Sequence, residues 1–202
     1  MRNLIRLIAW TSLVYLMLTL VVIIGASLTT TSYLAFPPEG LTLEWYRKLM
    51  DDPSYVASFT TSILMAIAAT VVAILLAVPA ALAFARYEFP GKATLSAILM
   101  SPLVLPHVVL GAALLQFGAH FGLTRSFLAL LIGHTVIITP FVLRSVMTLM
   151  TPEQRSLEEA SADLGAGPWS TFFLVILSLF CSGMITGSIF AFISSFINVE
   201  LS

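Results

Sequence analysis

The sequence has few charged residues: only 9% of its 202 residues are Asp, Glu, Lys or Arg, whereas 59% are hydrophobic. A soluble globular domain carries about 25% charged residues, so this chain has too few to cover a surface that faces water. The formal net charge is −1 and no basic cluster is present, so a nucleic-acid partner is not expected. The composition therefore predicts an integral membrane protein.

Cysteine and catalytic signatures are also scarce. Cys181 is the single cysteine and lies in an apolar run, which excludes a disulfide framework and predicts a buried, inert thiol. The sequence contains no Gly-rich phosphate loop, no His-Glu-x-x-His and no Gly-x-Ser-x-Gly. We therefore expect no catalytic residue, no metal site and no cofactor bound by this chain.

Long apolar runs are abundant, and a spanning helix needs roughly 20 such residues. The chain has about five of them, so the predicted fold class is an all-α integral membrane protein. The first run is too long for the core of a signal peptide and is followed by no cleavage site, which indicates a retained span. The runs are approximately Leu7–Leu28, Ala57–Ala83, Leu95–Ala119, Phe127–Leu149 and Ser170–Phe192.

The positions of Lys and Arg predict the orientation. If the N-terminus is cytoplasmic, six of the nine basic residues lie in inside segments and three in outside segments. This orientation is the expected one, since inside loops carry the excess of positive charge. It places the segment between the fourth and fifth runs inside and the C-terminal Asn-Val-Glu-Leu-Ser outside.

Several polar or helix-breaking residues lie within the runs. The prolines are consistent with packing kinks, and the alternative is that "SPLVLPHVV" breaks its helix beside a translocation route. His107 and His134 are either functional groups or neutral side chains satisfied by a carbonyl that a proline has freed. Gly183 and Gly187 form a small-xxx-small pair, which is typical of close helix packing. The prolines are Pro79, Pro102, Pro106 and Pro140.

The segment "TPEQRSLEEASADLGAGPW" interrupts the apolar runs with a short charged helix. Thr151 is suited to the N-cap and Pro152 to the first helical position. Gly165 is a natural left-handed stop, and Gly167-Pro168 suits the start of the next helix. The pattern predicts a helix of about 13 residues between the fourth and fifth spans.

The two sides of this helix differ in character. A narrow stripe of small and aliphatic residues lies on one side, at Leu157, Ala160, Ser161 and Leu164, and an acidic edge lies on another, at Glu158, Glu159 and Asp163. A helix that lies on a membrane surface favours Lys and Arg on its polar face. The acidic edge therefore favours a docking element for another protein.

The stretch "EEASADLGAGPWSTFFLVILS" resembles the EAA motif of bacterial ABC-importer permeases. Glu159, Ala160, Gly165 and Leu177 match that motif, while Ser161 replaces the second Ala, Val175 replaces Ile and Ser178 replaces Pro. The resemblance implies that the helix over residues 152–165 is a coupling helix, and that Glu159, Ala160, Ser161 and Gly165 dock on a cytoplasmic ATPase.

Looser matches extend this resemblance along the chain. The segments "FPPEGLTLEWY", "FARYEFPGK", "SPLVLPHVVLG" and "SFINVEL" resemble permeases of the spermidine/putrescine branch. The implied fold is that of a type-1 ABC importer, with a first helix and external loop over residues 1–56 and the transmembrane domain over residues 57–202. Six spans are usual in that family, so we expect the chain to be C-terminally incomplete.

The resemblance also implies the partners and the cargo. The chain would be a multi-pass permease of the bacterial inner membrane, working with a second permease subunit, a periplasmic substrate-binding protein and an ATPase dimer that binds ATP–Mg. The implied cargo is a polyamine or a similar small solute. Candidate pathway residues are His107, Asn198 and Glu200, although Glu200 is equally well a solvated charge. The alternative is a secondary transporter or channel subunit with no ATPase partner, for which only the two intramembrane histidines qualify as coupling groups.

Overall fold

The computed structural model describes residues 2–33, 35–123 and 126–198, and every regular element among them is helical. A 3₁₀ turn at Ser101–Leu103 extends the fourth helix, and the eighth begins with a π-helical stretch at Thr171–Ile176. The helices are α1 (Arg2–Ser27), α2 (Glu44–Asp51), α3 (Pro53–Arg86), α4 (Lys92–Met100), α5 (His107–His120), α6 (Phe127–Met147), α7 (Pro152–Asp163) and α8 (Pro168–Phe196).

Four of the described helices are long and apolar enough to cross a membrane, namely α1, α3, α6 and α8. The count becomes five if α4 and α5 together form one bent span. This result confirms the predicted all-α, multi-pass membrane fold. A sixth span after Ser202 stays a prediction.

The segment predicted as the third span is not one continuous helix. The chain bends by 108° between the segment Lys92–Leu103 and the helix His107–His120. Pro102 lies in the 3₁₀ turn and Pro106 caps α5 with an extended ψ of 128°. Neither proline has an N–H to donate, so a continuous helix would lose two backbone hydrogen bonds here. Thus "SPLVLPHVV" does break its helix, whereas Pro79 and Pro140 lie inside the uninterrupted helices α3 and α6.

Contacts divide the chain into two compact units, Met1–Phe59 and Thr60–Ser202, with the boundary inside α3. In the first unit, α2 is fixed to the segment that ends α1. The indole Nε1–H of Trp45 donates to the carbonyl of Thr29 at 2.9 Å, and the hydroxyl of Tyr46 donates to Ser27 Oγ at 2.7 Å. No residue in the most apolar stretch of α1 is buried, which is expected of a helix that faces lipid.

The core of the second unit combines small residues of α3 with branched residues of α6 and aromatic or small residues of α8. Lipid tails are as apolar as leucine, so such a core is held by close packing more than by removal of apolar surface from water. The fully buried alanines of α3 are Ala66, Ala69, Ala73, Ala77 and Ala81, and α6 contributes Ile137, Ile138, Val142, Leu143 and Val146.

Helices α6 and α8 approach each other closely, and we call their contact the α6–α8 seam. A Cβ atom added to Gly187 would lie 2.8 Å from Val142 Cα, and one added to Gly183 would lie 2.9 Å from the carbonyl oxygen of Ser145. Side chains larger than hydrogen would therefore separate the helices. The small-xxx-small prediction is confirmed. On α8 the seam residues recur every fourth position at Gly183, Gly187, Ala191 and Ser195.

The expectation that Cys181 is a buried thiol is wrong. It is exposed on the surface of the chain, whereas Phe180 and Gly183 beside it are buried. An apolar run indicates burial in a soluble protein. In a membrane chain the same run covers both the packed and the lipid-facing sides of a helix.

Candidate functional site

Helix α7 is placed by a glycine turn that connects it to α8. Gly165 has a φ of +85°, its N–H donates to the carbonyl of Ala162 at 2.9 Å, and the N–H of Ala166 donates to the carbonyl of Ser161 at 3.0 Å. These two bonds form a Schellman motif, which satisfies carbonyls at the end of the helix. The predicted left-handed stop is confirmed. Gly167 then caps α8, whose first residue is a proline, as expected.

The outer face of α7 is apolar and exposed. The side chains of Leu157 and Leu164 are 51% and 90% exposed, and Ala160 between them is also exposed. These three residues follow helical spacing on one side, Leu164 being the first residue after α7, and we call them the outer stripe. A surface helix of a monomeric protein usually buries its apolar stripe against the protein's own core. In α7 the apolar stripe faces outward instead.

The inner face of α7 is polar and contacts two spans of the same unit. The Glu158 carboxylate forms a short ion pair with the guanidinium of Arg86, the last residue of α3. The hydroxyl of Ser161 lies 3.0 Å from Thr171 Oγ1 in the π-helical start of α8, and it donates to the backbone carbonyl of Glu158 at 2.9 Å. Polar contacts therefore attach the helix to the chain, while its apolar residues face outward.

The sequence-based description of α7 needs two corrections. Ser161 does not lie on the stripe of small and aliphatic residues, because its hydroxyl faces inward and contacts Thr171 of α8. Glu158 does not lie on an exposed edge, because its side chain is only 16% exposed in its pair with Arg86. Glu159 does stay exposed, in a 3.2 Å pair with Arg155 on the same helix, and Asp163 is exposed as well. Sequence analysis missed the Arg86 partner, and the available signal was an arginine ending a span on the side predicted to hold α7.

A cavity of about 270 Å³ adjoins the inner face of α7. Arg86, Arg155 and Glu158 are among the residues that line it. Its remaining walls are mainly apolar side chains from the ends of α3 and α6 and from α8, namely Leu82, Met150 and Phe180. Unfilled space beside a charged contact leaves room for the side chains to rearrange when α7 moves.

The candidate pathway residues are not all placed in one site. His107 is exposed at the start of α5, Asn198 is 6% exposed, and Glu200 lies outside the described residues. Asn198 lines a cavity of about 130 Å³, and the described lining of that cavity does not include His107. The other polar lining side chains are Thr61, Ser62, His134 and Ser195.

His134 and Ser195 fix the arrangement of this second cavity. Nδ1 of His134 lies 2.8 Å from Ser195 Oγ, and both residues are almost completely buried. The histidine is thus satisfied by a hydroxyl of α8 and needs no carbonyl freed by a proline. The cavity lies near the start of α6 and the end of α8. Because α7 follows α6 and precedes α8, the cavity and α7 are at opposite ends of the seam.

No protein-family model matches the chain. Among curated proteins, it is 28% identical to the spermidine/putrescine transport system permease protein PotC of Escherichia coli (strain K12), over 93% of this chain and 71% of that protein. It is 32% identical to the molybdenum transport system permease protein ModB of the same strain, over 73% of this chain and 69% of that protein. It is 29% identical to the putrescine transport system permease protein PotI, over 76% of this chain and 57% of that protein.

The apolar helices define the chain as a multi-pass membrane protein. The three relatives are all transport-system permeases, and the similarity to ModB extends over more than two thirds of each chain. The chain belongs to the ABC-transporter permease family. It is accordingly a permease subunit.

Proposed function

We propose that the chain is the membrane-spanning subunit of an ATP-driven importer for polyamines or a similar small cationic solute. Helix α7 is the docking element for the ATPase, and Glu159, Ala160, Ser161 and Gly165 form or position its docking surface. A periplasmic binding protein delivers the solute to the face opposite α7. A second permease subunit completes the pathway, and ATP–Mg is bound by the ATPase partner.

The exposed outer stripe of α7 is the observation that carries this proposal. Two leucines and an alanine face outward on a helix that otherwise contacts its own chain through polar groups. Burying one leucine side chain stabilises an assembly by roughly 1.5–3 kcal/mol relative to exposure. A partner with an apolar groove and a basic rim therefore fits both the stripe and the neighbouring acids Glu159 and Asp163.

A lipid surface fits α7 less well than a protein does. The side chains of Glu159 and Asp163 are exposed beside the outer stripe, and anionic headgroups would repel them. Interfacial helices instead place Lys and Arg beside their apolar residues. The described cation on α7 is Arg155, which already pairs with Glu159.

The proposed cargo follows from the relatives and from the second cavity. PotC and PotI are named for spermidine and putrescine, whereas ModB is named for molybdenum. The described lining of the 130 Å³ cavity has hydroxyl, amide and imidazole groups and no Lys or Arg. Such groups accept hydrogen bonds from an ammonium group without repelling it. Asn198 therefore belongs to the proposed pathway. His107 and Glu200 are included in the proposal on the family resemblance and not on this cavity.

Uptake by the assembled transporter tests this function. The chain, its partner permease, its ATPase and its binding protein are reconstituted into vesicles, and labelled putrescine, spermidine and molybdate are compared with and without ATP. We expect ATP-dependent uptake of a polyamine. ATP-dependent uptake of molybdate alone would contradict the cargo, and uptake driven by an ion gradient without ATP would favour a secondary transporter.

A further inference from the structure

The two inward-facing polar residues of α7 contact different spans. Glu158 and Ser161 are three positions apart, which places them on the same side of the helix one turn from each other. Glu158 pairs with Arg86 at the end of α3, and Ser161 contacts Thr171 in α8. The inner face of α7 thus connects two helices that lie far apart in the sequence.

Two of the spans are joined to α7 through the backbone and would move when α7 moves. Four residues separate α7 from α6 and four separate it from α8, so any displacement of α7 pulls on both through the backbone. Helix α3 has no such connection, because Arg86 precedes Glu158 by 72 positions. Transmission to α3 has to pass through side chains.

We propose that the ion pair between Arg86 and Glu158 transmits the displacement of α7 to α3. Both are then positioning residues for energy coupling, and the inference rests on the function proposed above. We call the pair the α3–α7 link. When the ATPase displaces α7, the link moves the end of α3. The three spans α3, α6 and α8 then move together.

The environment of the link suits this role. Its side chains are 32% and 16% exposed, so water screens the attraction less than it does at a surface pair. The Arg155–Glu159 pair on the same helix is 69% and 67% exposed and contributes little by comparison. A guanidinium also holds a carboxylate in a defined geometry. The adjoining 270 Å³ cavity allows the arginine to follow the helix without breaking the contact.

The number of ATP molecules hydrolysed per solute transported tests the link. The reconstituted transporter, with its ATPase and binding protein, is assayed for putrescine uptake and ATP hydrolysis in the variants Arg86→Gln and Glu158→Gln. We expect ATP hydrolysis to stay near the parental rate while uptake falls, so that the ratio rises by about tenfold, within the range of ordinary coupling free energies.

Two controls separate transmission from a structural role. The charge-reversed double variant Arg86→Glu/Glu158→Arg recreates the attraction and is expected to restore most of the parental ratio. Glu88→Gln removes the exposed acid of the Glu88–Lys92 pair, which lies close to the end of α3 and outside α7, and is expected to leave the ratio unchanged. Both are measured at equal amounts of assembled complex, so that loss of folded protein does not enter the ratio.

Three results would overturn the inference. One is an unchanged ratio in both single variants, and another is an equal rise in Glu88→Gln. The third is a parallel fall of hydrolysis and uptake that the double variant does not restore, since the pair would then only stabilise the fold. A parental complex without ATP-driven uptake would instead refute the proposed function, so the two failures are distinguishable.

Discussion

The α6–α8 seam and the attachment of α7 join parts of the same unit in opposite ways. At the seam, Gly183 and Gly187 let two backbones approach so closely that an added Cβ would lie under 3.0 Å from its neighbours. At α7, an ion pair to Arg86 and a hydroxyl contact to Thr171 hold the helix, with a 270 Å³ cavity beside the ion pair.

This difference indicates which parts of the molecule move. Close-packed interfaces switch between discrete arrangements or do not move at all, because every displacement costs contacts. Polar side-chain contacts beside a cavity can swing while they stay formed. The seam is therefore the rigid part of the unit, and α7 is the part that an external partner can displace.

The largest effect is expected at the seam. Gly187→Leu would insert a branched side chain where Val142 Cα lies 2.8 Å from an added Cβ. Overpacking of this kind costs typically 1–3 kcal/mol and more where backbone is the obstacle. We expect loss of most folded protein in detergent, measured by the thermal midpoint and by the monodisperse yield. A variant of parental stability would show that the seam is not rigid.

The second effect concerns coupling without loss of stability. Ala160→Trp adds a large side chain to the outer stripe of α7, where Ala160 is exposed. We expect the thermal midpoint to stay within about 2 °C of the parent, since exposed substitutions rarely change stability by more than about 0.5 kcal/mol. Uptake should fall by about tenfold or more, because an overfilled interface loses 1–3 kcal/mol. Ala162→Trp, also exposed on α7 but outside the stripe, is the matched control.

The third effect is a displacement of α7. Gly165→Val forces a β-branched residue to a φ of +85°, which costs of order 1–3 kcal/mol, although open space surrounds the position. We expect uptake to fall by several-fold while the seam and the yield remain intact. Gly165→Asn is the control, because asparagine tolerates left-handed φ, and it should retain most of the uptake. Uptake by Gly165→Val at the parental rate would show that this turn is not needed to place α7.

The smallest effect is expected at the polar end of the seam. Ser195→Ala removes the 2.8 Å contact to His134 Nδ1. Hydrogen bonds between membrane helices contribute about 0.6 kcal/mol on average, so the thermal midpoint should fall by a few degrees at most. Ser194→Ala, the neighbouring residue of α8, is the matched control. A loss as large as that of Gly187→Leu would mean that polar contacts, and not close packing, hold the seam.

The sequence predicts much of this molecule because its strongest signals are local. The apolar runs predict the four long helices, the Gly183/Gly187 spacing predicts the seam, and Gly165 predicts the end of α7. Each prediction rests on residues within a few turns of one another. The prolines of "SPLVLPHVV" carry a local signal too, but only the structure shows a bend of 108°.

The remaining features depend on residues far apart in the chain. Periodicity placed Glu158 on an exposed acidic edge, yet its partner Arg86 lies 72 positions away, and no spacing rule connects them. The cavity around His134 likewise needs side chains from α3 and α8. Cys181 was expected to be buried because hydropathy does not distinguish a packed side from a lipid-facing one.

Photo-crosslinking from Ala160 tests the central claim most directly, namely that the outer stripe of α7 docks on an ATPase. A benzophenone amino acid is placed at position 160 in the assembled transporter, and at Leu75 as a control, which is 67% exposed in the middle of α3. The account predicts that position 160 crosslinks to the ATP-binding subunit, identified by mass spectrometry, and that position 75 does not. Crosslinks from position 160 to lipid alone, or equal yields at both positions, would contradict it.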